Sequence, residues 1–245
     1  MKIFVSAFLF FVFCFSSVVN AQEEISFKAP DGISITADLY KGQPSDTYVV
    51  LFHQAGYSRG EYRETAPKIV KIGFNCLAVD LRSGDEVNNV LNKTAQKAKG
   101  LGKPTTYIDA EQDMIAAIDY AFDINKKTVV LLGSSYSASL CLKIAKNNPK
   151  VKAVIAFSPG EYFSSLNLNI QKEITGLKKP VYAACAKIEY PFMATVLSGI
   201  SAENKTVFKP SRDKKGIHGS RILWNFSDCS REVWFDVLRF LTKQK

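Results

Sequence analysis

The sequence predicts an α/β fold: a mostly parallel central sheet covered by helices on both faces, with an antiparallel hairpin at its N-terminal edge. Three observations predict it. Short apolar runs at residues 47–53, 73–80, 128–132, 152–157 and 180–185 have the length of buried strands. Stretches with helical spacing separate most of them, as the crossovers of a parallel sheet require. Ahead of all these, two alternating runs flank Pro30-Asp31-Gly32, which is the signature of a hairpin.

In chain order, residues 25–29 and 33–40 form that hairpin, and 47–53 is a strand ending in His53. The glycine-punctuated loop Gln54-Ala55-Gly56-Tyr57-Ser58-Arg59-Gly60 leads into a helix over 61–71. The strand 73–80 ends at Asp80 and runs into Leu81-Arg82-Ser83-Gly84. Residues 85–105 are polar, rich in lysine and asparagine, and read as a surface excursion without an assigned element. Residues 107–122 are helical, with Ile108, Met114, Ile115, Ala117, Ile118 and Ala121 on one face. The strand 128–132 precedes Gly133-Ser134-Ser135-Tyr136-Ser137, and a helix follows from Ala138 to about Asn148. Strands at 152–157 and 180–185, a helix over 190–200, a short strand at 206–208 and an amphipathic helix at 229–242 complete the chain.

With 47% hydrophobic and 22% charged residues, 245 residues can bury a sizeable core. The net charge of +9 is spread along the chain. It accompanies no nucleic-acid motif and no basic stripe interleaved with aromatics, so it is read as solubility and no nucleic-acid partner is expected. Residues 1–21 have the pattern of a secretory signal peptide: Met1-Lys2, an apolar run to Val19, then Val19-Asn20-Ala21 as the cleavage site. Residues 22–245 are then a single exported domain, secreted or periplasmic, with no stable membrane insertion after cleavage. Cys76, Cys141, Cys185 and Cys229 remain, with three possible pairings, although the first three sit in strongly apolar patterns that suit small buried hydrophobes. With two histidines and no C-x-x-C, a zinc site is not expected, nor is any other metal or organic cofactor.

A strand, a tight turn and a helix meet at Ser135. Serine needs a neighbouring base to act as a nucleophile at neutral pH, normally an imidazole oriented by a carboxylate. His218, in Lys215-Gly216-Ile217-His218-Gly219-Ser220, stands between the last strand and the final helix, where such a base belongs. Glu189 is the one carboxylate directly after the strand ending at Cys185 and is taken as the acid, with Asp213 and Glu161 as reserves. His53 and Asp80, at strand ends, are read as braces for their loops.

Together, Phe52-His53-Gln54-Ala55-Gly56, Asp80-Leu81-Arg82-Ser83-Gly84, the Ser135 turn and His218-Gly219 resemble the α/β-hydrolase superfamily over nearly all of residues 22–245. The compact size resembles its dienelactone hydrolase-like and small carboxylesterase branches. The resemblance implies an α/β-hydrolase fold with a minimal cap, since 158–179 is too short for a large one. It also implies a nucleophile at Ser135, a base at His218, an acid at Glu189, and oxyanion donors in the backbone N–H groups of Tyr136 and of Ala55, or alternatively Gln54. Three departures stand out: dienelactone hydrolases proper use cysteine as nucleophile, Ser137 replaces the elbow glycine, and Gln54 replaces a glycine. The expected activity is cleavage of a carboxylic ester in a small-molecule or acylated substrate, through an acyl-enzyme. A peptidase or amidase with the same triad is the alternative, as is a binding protein that has lost turnover. Arg59, Arg82 and the lysines of 93–103 are candidates to meet an anionic part of the substrate, the commoner fate of such charges being solvated surface. The oligomeric state is left open.

Overall fold

The computed structural model describes residues 22–44 and 46–245, and the expected signal peptide lies outside them. Its strands are β1 Gln22–Lys28, β2 Ser34–Tyr40, β3 Tyr48–Phe52, β4 Asn75–Val79, β5 Glu86–Val87, β6 Val90–Leu91, β7 Val129–Ser134, β8 Val151–Phe157, β9 Val181–Ala184 and β10 Lys205–Val207. Eight form one sheet in the order β1-β2-β4-β3-β7-β8-β9-β10. The β1/β2 and β2/β4 pairings are antiparallel, and every pairing from β4 to β10 is parallel. This is the predicted sheet with its antiparallel edge.

The helices are α1 Thr65–Lys71, α2 Lys93–Gly100, α3 Ala110–Asn125, α4 Tyr136–Asn147, α5 Ile170–Ile174, α6 Tyr190–Val196 and α7 Ser230–Thr242. Successive strand side chains point to opposite faces, so each central strand feeds two apolar layers. Val50, Phe52, Leu131 and Val154 pack with Met114 and Ile118 of α3 and Leu140 of α4. Val49, Leu51, Val130 and Ile155 pack with Ile69 of α1 and with Val233, Val237 and Leu241 of α7. Both faces are covered, and the carboxyl ends of the parallel strands are left to loops, where such sheets hold their sites.

Three stretches differ from expectation. The helix expected from Glu61 begins at Thr65, because Arg59–Tyr62 is a buried 3-10 turn tied to the sheet end. Tyr62 donates its hydroxyl to the Phe52 carbonyl at 2.6 Å, and the Trp224 indole donates to the Glu61 carbonyl at 3.1 Å. Residues 85–105 are not featureless: after the short β5/β6 ladder, Asn92 caps α2 by accepting from the Ala95 N–H at 2.8 Å, and Ala95 and Ala98 are buried. Two alanines among lysines leave little periodicity to read. The helix expected over 190–200 is α6 followed by a 3-10 turn, Leu197–Gly199.

Between β8 and β9 the connection carries only a 3-10 turn, Ser164–Leu166, and the five-residue α5. All four cysteines from Cys76 onward are buried and unpaired, Cys229 among them. No helix of the described residues is long and apolar enough to cross a membrane.

Candidate active site

Ser135 lies between β7 and α4 with φ 61° and ψ −126°, a conformation that a non-glycine residue adopts at a cost of order 1–3 kcal/mol. The turn is held tightly enough to impose it. A Cβ on Gly133 would lie 2.6 Å from Ala138 Cα, so only glycine lets the first turn of α4 close on the strand. Ser137, the departure from the elbow glycine, is fully buried and has work to do there. Its Oγ accepts from the Ser134 N–H at 2.9 Å and donates to the Phe52 carbonyl at 2.8 Å, stitching the turn to β3.

Beyond β9, Glu189 and His218 meet directly: the imidazole Nδ1 hydrogen-bonds Glu189 Oε1. The other carboxylate oxygen accepts from Ser158 Oγ at 2.7 Å and from the Ala186 N–H at 3.1 Å. Burial alone would push the Glu189 carboxyl up, but the hydrogen bonds from His218 and Ser158 outweigh it and hold the group below the usual carboxylate range. Nδ1 therefore faces a carboxylate, which leaves Nε2 to exchange protons elsewhere. Ser158, itself at φ 52°, also accepts from the Gly219 N–H at 2.9 Å, so one hydroxyl positions both the acid and the base loop.

Ser135 is joined to this pair through neighbours. The Ser220 N–H donates to Ser134 Oγ at 2.8 Å, binding the base loop to the residue before the nucleophile candidate. Gly219, at φ 71°, passes so close to Ser134 Oγ and Gln54 Oε1 that a side chain there would collide with both. The Tyr162 hydroxyl donates to the Ser158 carbonyl at 2.8 Å and also interacts with the Ser135 hydroxyl. No hydrogen bond spans Ser135 and His218 themselves among the described residues.

The expected oxyanion donors flank this point. Tyr136 opens α4, so its N–H has no partner within the helix. Its ring is buried, stacks on Tyr107 at 4.5 Å between centroids, and hydrogen-bonds Ser83 through the hydroxyl. Ala55 follows β3 in a braced loop. His53, fully buried, bonds the Gln54 carbonyl through Nδ1 at 2.8 Å and accepts from the Leu81 N–H at Nε2 at 2.9 Å. Burial lowers its pKa to about 4, so this imidazole stays neutral. The Gln54 N–H in turn donates to Glu61 Oε2 at 2.8 Å.

The reserve acids are occupied elsewhere: Glu161 accepts from the Ile170 and Gln171 N–H groups, and exposed Asp213 bonds Ser211. The two arginines considered for substrate are neither at the surface nor free. Arg59 pairs with Asp80 at 2.7 Å, Asp38 at 2.9 Å and Glu24 at 2.7 Å. Arg82, with no exposed surface, pairs with Asp113 at 2.6 Å and Asp31 at 2.8 Å. Both are buried because they neutralise the aspartates beneath the loops, which nothing in their spacing announced. Lys93 is spent on Glu24 at 2.6 Å. Sequence reasoning gave no role to Glu61, or to Ser134 and Ser220 within the motifs around Ser135 and His218, and placed Ser158 only at the strand end where the site lies.

A mostly parallel sheet, a serine on a strained strand-to-helix turn and a histidine–carboxylate pair on later loops define an α/β hydrolase. The dienelactone hydrolase family profile matches residues 36–206, most of the chain, and the chain belongs to that family. The match ends before His218. The structure is similar to an esterase of Pyrococcus furiosus, at 18% identity and a TM-score of 0.72, covering 91% of this chain and 92% of that one. It is also similar to a dienelactone hydrolase of Anabaena variabilis, at 15% identity and a TM-score of 0.69, covering 91% and 97%. An acylaminoacyl peptidase of Pyrococcus horikoshii is similar at 13% identity and a TM-score of 0.65, covering 91% of this chain but 41% of that one. A comparison with the curated proteins found no match.

Proposed function

We propose that this hydrolase cleaves carboxylic esters through an acyl-enzyme, with Ser135 as nucleophile, His218 as base and Glu189 as the carboxylate that orients it. The observation that carries the reading is the Glu189–His218 hydrogen bond, seated by Ser158 and tied through Ser134 to the strained turn that bears Ser135. Catalytic hydrogen bonds are often long before substrate arrives, so the open gap between Ser135 and His218 is compatible with it.

Ser135 Oγ attacks the carbonyl carbon and its proton passes to His218 Nε2. The oxyanion is held by the N–H groups of Tyr136 and Ala55. Collapse expels the alkoxide, which takes the proton from His218 and leaves as the alcohol. Water, deprotonated by the same imidazole, then attacks the acyl-enzyme, and the carboxylic acid leaves with Ser135 restored. The His218 side chain is 39% exposed and the β8–β9 connection is short, so the site suits an acyl group on a bulky partner. We place this chemistry outside the cytoplasm, on the strength of the signal-peptide pattern in residues 1–21.

Fluorophosphonate labelling followed by peptide mass mapping tests the assignment on wild type, Ser135→Ala and His218→Ala. Labelling confined to Ser135 and lost in both variants is the expected result. Folded wild type that takes no label would overturn it and favour a binding protein without turnover. Matched ester and amide substrates separate an esterase from an amidase.

A further inference from the structure

Glu61 stands outside the triad, yet it touches all three parts of the proposed machinery. Its side chain is fully buried and makes no ion pair among the described residues. Oε2 accepts from the Gln54 N–H at 2.8 Å, one residue before Ala55. Oε1 accepts from Ser134 Oγ at 2.7 Å, one residue before Ser135, and from Ser220 Oγ at 2.5 Å, two residues after His218. The Ser220 N–H closes the ring onto Ser134 Oγ at 2.8 Å. Three donors converge on one carboxylate, a pattern that calls for an acceptor at every position.

Burying such a group is costly; here it raises the Glu61 pKa against the opposing hydrogen bonds from Ser220, Gln54 and Ser134. An apolar side chain of similar size would fill the same space but leave three buried donors without an acceptor, so packing alone does not account for a carboxylate. What a carboxylate adds is geometry: β3 and β7 pair by backbone only as far as Phe52 and Gly133, and Glu61 fixes the residues just beyond that pair to each other and to the loop before α7.

We infer that Glu61 is the positioning residue of this site, holding the oxyanion loop, the nucleophile turn and the base loop in register through Gln54, Ser134 and Ser220. The inference rests on the Ser135 and His218 assignment above. It concerns kcat rather than substrate affinity, because the three tethered elements carry the groups that act in the transition state.

The test is Glu61→Gln, which keeps the volume. Its amide can still accept from the two hydroxyls, but then its NH2 faces the Gln54 N–H, donor against donor, and the Ala55 loop must move. The expected result is a fall in kcat of roughly 100-fold or more, the scale of losing one oxyanion donor, with KM within about threefold and fluorophosphonate labelling slowed in parallel. Ser220→Ala removes one tether, and Ser134→Ala removes two, its own bond to Glu61 and the acceptor of the Ser220 N–H; kcat falls by roughly 3- to 10-fold in the first, as for loss of one hydrogen bond, and further in the second, with KM again held. These two variants decide the question if Glu61→Gln does not fold. A folded Glu61→Gln with kcat within about threefold of wild type, or serine variants that lose thermal stability at unchanged kcat, would reduce Glu61 to a structural residue. Ser135→Ala in the same assay keeps the two questions apart. If it is inactive, such results reject Glu61 alone; if it remains active, the nucleophile assignment fails and takes the positioning role with it.

Discussion

The two flanks of the Ser135 turn are built on opposite principles. On the β3/β4 side, His53, Arg59, Asp80, Arg82 and Asp113 are all buried, and their charges cancel within the protein. On the β8/β9 side, the side chains of Glu189 and His218 are 28% and 39% exposed, and Ile188 and Phe192 project into solvent beside them. In the proposed mechanism the first flank holds the Ala55 N–H still, and buried ion pairs with fixed hydrogen bonds suit that task. In the same proposal the second passes protons to substrate and water, which a sealed imidazole could not do. Rigidity and access are thereby divided between the two ends of one sheet edge.

Substitutions should therefore separate along the same line. The largest expected effect is on the exposed flank: His218→Ala lowers kcat/KM by about 10⁴-fold or more while changing stability by under about 1 kcal/mol, measured by ester hydrolysis and urea unfolding. Next comes Arg82→Met on the buried flank, which strands Asp113 without its partner and destabilises the fold by about 3–5 kcal/mol in urea. The Arg82→Met/Asp113→Leu double variant recovers part of that loss, because no unpaired charge remains at that pair.

The third prediction concerns pH. The unfolded state protonates the His53 imidazole near its ordinary value of 6.5, whereas the native state resists until about pH 4. Between those values the unfolded chain binds the extra proton, so His53's contribution to stability shrinks by about 3 kcal/mol as pH falls from 6.5 to 4. His53→Gln lacks this component, so subtracting its stability from that of wild type at pH 7, 5.5 and 4 isolates the slope. Smallest of all, Ile188→Ser and Phe192→Ser change stability by no more than about 0.5 kcal/mol, since both side chains are exposed. A larger loss in either would mean that the open flank is packed against something.

How much of this was legible beforehand follows from how each feature is encoded. Strands β3, β4, β7, β8 and β9 are continuous apolar runs, and the helices between them carry a period, so sheet and layers could be read from pattern alone. Ser135 and His218 could be picked out because each stands where a strand, turn or helix boundary is marked by neighbours. Glu61 could not, because its role depends on Gln54, Ser134 and Ser220, which lie 7, 73 and 159 positions away in the chain. Arg59 and Arg82 were misread for a related reason. Charge in a sequence defaults to surface, and only the fold reveals that Asp38, Asp80, Asp31 and Asp113 converge on them.

The four buried thiols carry a last consequence. With no covalent crosslink among them, the native state holds no record of the redox history of the compartment where it formed. Its cohesion comes from the two apolar layers and the buried polar network, none of it covalent, and dithiothreitol should leave its urea midpoint and its recovery from denaturant unchanged. Residues 22–245 made in a reducing cytosol would then reach the same fold as in an oxidising compartment, with no disulfide-forming oxidoreductase or disulfide isomerase needed.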